Sequence, residues 1–197
     1  MIYYNYLFYI TLLSILSMNQ GVLASSVAIS EDALKDVKRT EVTSAADRER
    51  LQKTAVLLAN YEIEAKKLLT MIETANGVND TINQQTGKLM NLAETVIDSA
   101  RFRLPQCDEY LTKSLALKDK LKDISHDTLE KDYHMDGALP KAPMECYHTK
   151  DLFVHPATVM VLTRDDPKLS DATKATIKAE ITEVLGHTEM VRQLVIY

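Results

Sequence analysis

The sequence has no tryptophan and, in 197 residues, only three phenylalanines, five glycines, five prolines and two cysteines. Each shortage excludes something. Without tryptophan, and with few aromatics after residue 24, a stacking platform for sugars or bases has little to be built from. So few glycines and prolines leave scant turn chemistry for an all-β fold. There is no Gly-rich loop to cradle phosphate and no Gly-x-Ser-x-Gly elbow to present a nucleophile. No block of lysine and arginine occurs and the net charge is −5, which disfavours nucleic acid and anionic lipid as partners.

Charge is missing altogether from residues 1–24. The apolar run from Tyr6 to Met18 has the length of a signal-peptide core and falls short of the ~20 residues that a bilayer span needs. Val22-Leu23-Ala24 supplies small residues for cleavage, and the amino terminus itself must stand in for the usual Lys or Arg. We therefore read 1–24 as a signal peptide, 25–43 as an N-terminal arm with a short helix starting at Ser30, and 44–197 as one helical-bundle domain. An uncleaved N-terminal anchor is the competing reading. Export, periplasmic or extracellular, leaves no membrane segment in the mature chain. It also puts Cys107 and Cys146 where disulfides persist, so the two are expected to pair.

What is present is helical periodicity. Ser44 and Asp47 have capping-box spacing, and Leu51, Ala55, Leu58, Ala65, Leu69 and Ile72 recur at steps of three and four, with Glu62 the one polar seam position. Asn76-Gly77 stops that helix. Ile82, Leu89, Ala93, Val96 and Ala100 form the stripe of a second, which Leu104-Pro105 breaks. A third, carrying Cys107, Tyr110, Leu111, Leu115, Leu121 and Ile124, is expected to run to about Lys131. A fourth region spans Glu145 to Arg164 with an interruption at Pro156, and Ser170 caps a last helix to Leu194. Residues 157–163 are the one stretch with strand character, and a lone strand has nothing to pair with. The fold class is all-α: a four- to five-helix bundle with a Pro-containing crossover linker at about 132–144.

Pairing the cysteines constrains the topology. A third helix of ~25 residues is roughly 37 Å long, and Cys107 and Cys146 open helices three and four. A disulfide tolerates only ~5.5 Å between Cα atoms. The linker, stretched to at most roughly 46 Å, would have to run back along the bundle, leaving helices three and four parallel.

Chemistry, if any, concentrates in one region. Four of the five histidines, His126, His134, His148 and His155, fall within 30 residues, together with Met135, Asp136, Met144 and Asp151. His148, Asp151 and His155 stand at i, i+3 and i+7, on one helical face if the helix survives Pro156. His187 lies on the last helix with Glu180 and Glu183 on nearly the same side. His, Met and carboxylate together suit a borderline transition metal such as copper, zinc or iron. The candidate ligands are His148, Asp151, His155, His134 and His187. Glu145-x-x-His148 and Asp123-x-x-His126, with Glu62 and Glu94, imitate a di-iron carboxylate pattern but in the wrong helix order. His-Glu-x-x-His, Cys-x-x-Cys and Cys-x-x-Cys-His are all absent. Two readings stand: an exported, non-catalytic interaction or accessory protein acting through a protein partner, and a metal- or haem-binding bundle using segment 126–155. No catalytic residue is assigned.

Overall fold

The computed structural model describes Leu34, residues 36–74 and residues 79–197. The expected signal peptide at 1–24, the expected Ser30 cap and the expected Asn76-Gly77 stop lie outside the described residues. Among the described residues from Ala45 onward, six α-helices follow one another: α1 (Ala45–Thr74), α2 (Asn79–Arg103), α3 (Asp108–Leu115), α4 (His126–Leu129), α5 (Tyr147–Asp165) and α6 (Asp171–Val191). No strand occurs among the described residues, and 157–163 lies inside α5. The expected all-α bundle is what forms.

Long helices α1, α2, α5 and α6 each pack on two neighbours in the cycle α1–α2–α5–α6, a four-helix core. The local signals act as read. Ser44 Oγ accepts from Asp47 N–H at 3.0 Å while Asp47 Oδ2 accepts from Ser44 N–H at 3.3 Å, closing the capping box. Ser170 Oγ accepts from Thr173 N–H to start α6. The α2 stripe Ile82, Leu89, Ala93, Val96 and Ala100 is fully buried. On α1 the seam is turned slightly: Thr54, Tyr61 and Leu68 are buried, while Ala55 and Leu69 are half-buried. Glu62 sits at the rim and accepts from Arg192 at 2.5 Å, so its carboxylate reaches a cation instead of the core.

Pro156 does not interrupt α5. A proline inside a helix frees the carbonyl four residues back, here that of Leu152. Tyr61 Oη on α1 donates to that carbonyl at 2.8 Å. The freed acceptor is thus satisfied across the core, and His155 keeps its helical place.

Two further expectations need correction. The third helix is not continuous. It ends with α3 and a 3-10 turn at Ala116–Lys120, and Ser125 Oγ accepts from Thr128 N–H at 3.1 Å to cap a new helix, α4. Arg164, near the end of α5, donates to Leu121 O at 2.6 Å and Ile124 O at 2.7 Å. Those carbonyls are therefore taken by tertiary contacts instead of a further turn. The return journey is also not an extended linker over 132–144. Helix α4 runs straight into a π-helix, Glu130–His134, and only 135–143 is irregular. Asp136 has φ 61°, and Gly137 N–H donates to Lys131 O at 2.9 Å. A Cβ on Gly137 would come within 2.5 Å of that oxygen, so only glycine fits there. The arm lies along the bundle end: Thr40 N–H donates to Arg103 O at 2.9 Å and Arg39 Nε to Leu194 O at 3.1 Å. Residues 37–39 are not helical.

Cys107 and Cys146 form a disulfide with their Cα atoms 5.5 Å apart. It ties the start of α3 to the start of α5, and Arg164 ties the end of the α3 segment to the end of α5. The two segments are therefore parallel, as a bridged pair requires, with α4 and the π-helix returning between them. The bond joins residues 39 apart, and closing such a loop removes up to about 4 kcal/mol of unfolded-state entropy. The double variant Cys107→Ser/Cys146→Ser is expected to lose about 2–4 kcal/mol in urea unfolding. An unchanged unfolding free energy would contradict the staple.

Candidate metal centre

The π-helix and helices α5 and α6 bring their titratable side chains to one place inside the bundle. On α5 the i, i+3, i+7 spacing of His148, Asp151 and His155 points all three at α6. On α6 Glu180, Glu183 and His187 repeat that spacing and point back. His155 is fully buried, and its Nδ1 lies 2.7 Å from Glu180 Oε2. His148 Nδ1 and His187 Nδ1 are 2.6 Å apart, a hydrogen bond in which one imidazole donates and the other accepts. His187 Nε2 faces Asp151 Oδ2 at 3.6 Å. The His155 and His187 rings stack with centroids 5.6 Å apart, and His134 meets His155 edge-on at 4.8 Å. All five expected ligands, His148, Asp151, His155, His134 and His187, therefore converge.

Several members of the site were not legible as such. Glu130, on the π-helix, takes His134 Nδ1 at 2.8 Å and stands 3.8 Å from His126 Nε2; its only sequence signal is lying four residues from both histidines. Lys150 is 2% exposed, and its ammonium donates to Tyr133 O at 2.9 Å, His134 O at 2.8 Å and Asp136 Oδ1 at 2.9 Å. Asp151 Oδ1 lies 3.2 Å from the same nitrogen, and Tyr110 Oη donates to Asp136 Oδ1 at 2.7 Å. Lys150 thus fastens the segment carrying His134 onto the helix carrying Asp151. The exposed Met135 and Met144 take no part. Nor does the di-iron pattern assemble: Glu94 pairs with Lys118, Glu145 with Gln106 and Glu62 with Arg192.

The groups hold unequal protons. Burial pulls His187 down to about 4 and also lowers His148. The hydrogen bond to Glu130 raises His134 and lowers Glu130 in turn. Burial works against ionised Asp151, but the Lys150 ammonium and surrounding imidazoles outweigh it and hold the carboxyl below its usual range. At neutral pH the centre therefore offers neutral His148 and His187 beside a carboxylate. Three atoms of it are buried without a hydrogen-bond partner: His155 Nε2, His187 Nε2 and Asp151 Oδ1. The donor atoms of Asp151, His155 and His187 all lie within 4.8 Å of one another, as do those of Glu130, His134 and Glu180 and those of His134, His155 and Glu183.

These shifts have a sign. An imidazole held at about 4 takes up a proton less readily folded than unfolded, where its pKa is ~6.5, so its stability contribution is complete above ~6.5. It is lost as pH falls from there through about 4. His134, raised by Glu130, acts oppositely: its contribution is complete below ~6.5 and lost as pH rises through its folded value. Metal-free protein should lose on the order of 3 kcal/mol through His187 alone between neutral pH and pH ~4. Urea midpoints across that range should fall less steeply for His187→Gln than for wild type, and parallel curves would contradict the assignment.

Compared with known proteins, the chain matches no family model, no curated sequence and no solved structure.

Proposed function

We propose that this chain is an exported helical bundle that holds a first-row transition metal, zinc or copper(II), within its core, and that it binds the ion without turning over a substrate. The carrying observation is that two buried imidazole nitrogens without a hydrogen-bond partner, His155 Nε2 and His187 Nε2, belong to a set of donors that converges with Asp151. Each such atom costs about 1–3 kcal/mol when left bare, and a cation among them removes that cost. The 3.6 Å between His187 Nε2 and Asp151 Oδ2 is close to the ~3.3 Å edge of a tetrahedron with Zn–N bonds of ~2.0–2.1 Å. Glu180 on His155 Nδ1, and His148 on His187 Nδ1, leave both Nε2 atoms to face the ion, as the outer partners of metal-bound histidines do.

The chemistry narrows the ion. Both sulfurs are in the disulfide, so the donors are nitrogen and oxygen, suited to zinc or copper(II) over thiolate-seeking ions. Imidazoles packed 4.8–5.6 Å apart leave no slot between them for a porphyrin, which disfavours the haem variant. His155 fully buried and His187 13% exposed at its side chain give an enclosed site, the character of storage or structural metal and not of an open catalytic position. Export is supported by the charge-free leader and by the disulfide. No helix among the described residues is long and apolar enough to cross a membrane. An accessory role through a protein partner is a compatible second reading, favoured by Val56 and Ile63, each 62% exposed, seven residues apart on α1.

The test is direct. Tag-free protein stripped with EDTA is titrated with zinc or copper(II) while its melting temperature is followed. Saturation at a hundredfold excess over Kd should stabilise it by about 2.7 kcal/mol. His155→Ala and His187→Ala should lower the rise, and Glu94→Gln, at the distant Lys118 pair, should keep it. Unchanged melting in both metals would remove the reading.

A further inference from the structure

We infer that the same interior takes a second divalent cation, at Glu130, His134 and Glu180, making the centre dinuclear. The inference rests on the metal-binding reading but uses different residues. The donors of Glu130, His134 and Glu180 lie within 4.8 Å of one another and share no member with the Asp151, His155 and His187 set. Three separate features place them. The π-helix makes Glu130 and His134 neighbours on one face, because each of its turns takes more than four residues, and such turns recur at functional sites. Lys150 pins the end of that π-helix through the Tyr133 and His134 carbonyls. Glu180 comes from α6 and touches the first set directly, its Oε2 2.7 Å from His155 Nδ1.

A further donor is at hand: His126 Nε2, buried with no hydrogen-bond partner, lies 3.8 Å from Glu130 Oε1.

The two subsites differ in chemistry. Asp151, His155 and His187 offer more nitrogen and favour zinc or copper(II). Glu130, His134 and Glu180 offer more carboxylate oxygen and favour a harder ion, such as manganese(II), iron(II) or zinc. Glu180 and His155 connect the subsites, so the cations would sit on either side of a carboxylate–imidazole pair.

Stoichiometry separates the outcomes. Metal-free chain is equilibrated with zinc in a weakly chelating buffer, gel-filtered, and its metal counted against protein by plasma mass spectrometry. Wild type should carry two zinc ions, and Glu130→Gln, His134→Gln and His187→Ala one each. A wild-type count of one that Glu130→Gln and His134→Gln leave unchanged would overturn the second subsite while sparing the first. A count of zero would overturn both. Should the Glu130 and His134 variants lose helicity, wild type preloaded with one equivalent of zinc is titrated with manganese(II) and the free-ion EPR signal followed. Suppression of that signal by one further equivalent is expected, and its full persistence would overturn the proposal.

Discussion

A buried ammonium group organises this molecule. Lys150 projects from α5 into the interior, where removing its charge from water costs several kcal/mol. Two backbone carbonyls and two carboxylates surround the nitrogen at 2.8–3.2 Å and offset that cost. The carbonyls belong to Tyr133 and His134, at the end of the π-helix, where a helix has acceptors to spare. One lysine thus caps the π-helix, fixes the Asp136 turn and holds Asp151 ionised. Without it the segment bearing Glu130 and His134 is left to the Thr158–Glu130 hydrogen bond and the packing of Leu129 and Tyr133, and His134 loses its polar tie to α5.

The disulfide and Pro156 serve the same arrangement from its two sides. Cys107–Cys146 sets where α5 begins, two residues before His148. Pro156 follows His155 directly, and the carbonyl it frees is taken by Tyr61 from α1. The face carrying His148, Asp151 and His155 is therefore clamped at both ends: covalently at the start, and by a cross-core hydrogen bond where the helix would otherwise be weakest.

Much of this was legible in the sequence. Local rules located what local physics decides: the Ser44 and Ser170 caps, the α2 stripe, the cysteine pair and the one-face spacing of His148, Asp151 and His155. What was not legible depends on partners far along the chain. Nothing between Lys120 and Ser125 breaks a helix by itself; the break is held by Arg164, about 40 residues on, although Ser125 with Thr128 was a readable cap. Pro156 reads as an interruption unless Tyr61 is known to supply the missing partner. Glu130 and Lys150 look like surface charges, since a single charged residue carries no mark of burial. The repeat of the α5 spacing by Glu180, Glu183 and His187 was the one unused signal that two helices share a polar face.

The central claim is that converging imidazole and carboxylate, and no sulfur, hold a metal ion. X-ray absorption at the zinc edge of the loaded, disulfide-intact protein tests it most directly. A shell of nitrogen and oxygen at about 2.0–2.1 Å, with the outer scattering of at least two imidazoles, is the expected spectrum. A sulfur shell near 2.3 Å, or oxygen scattering with no imidazole pattern, would contradict it.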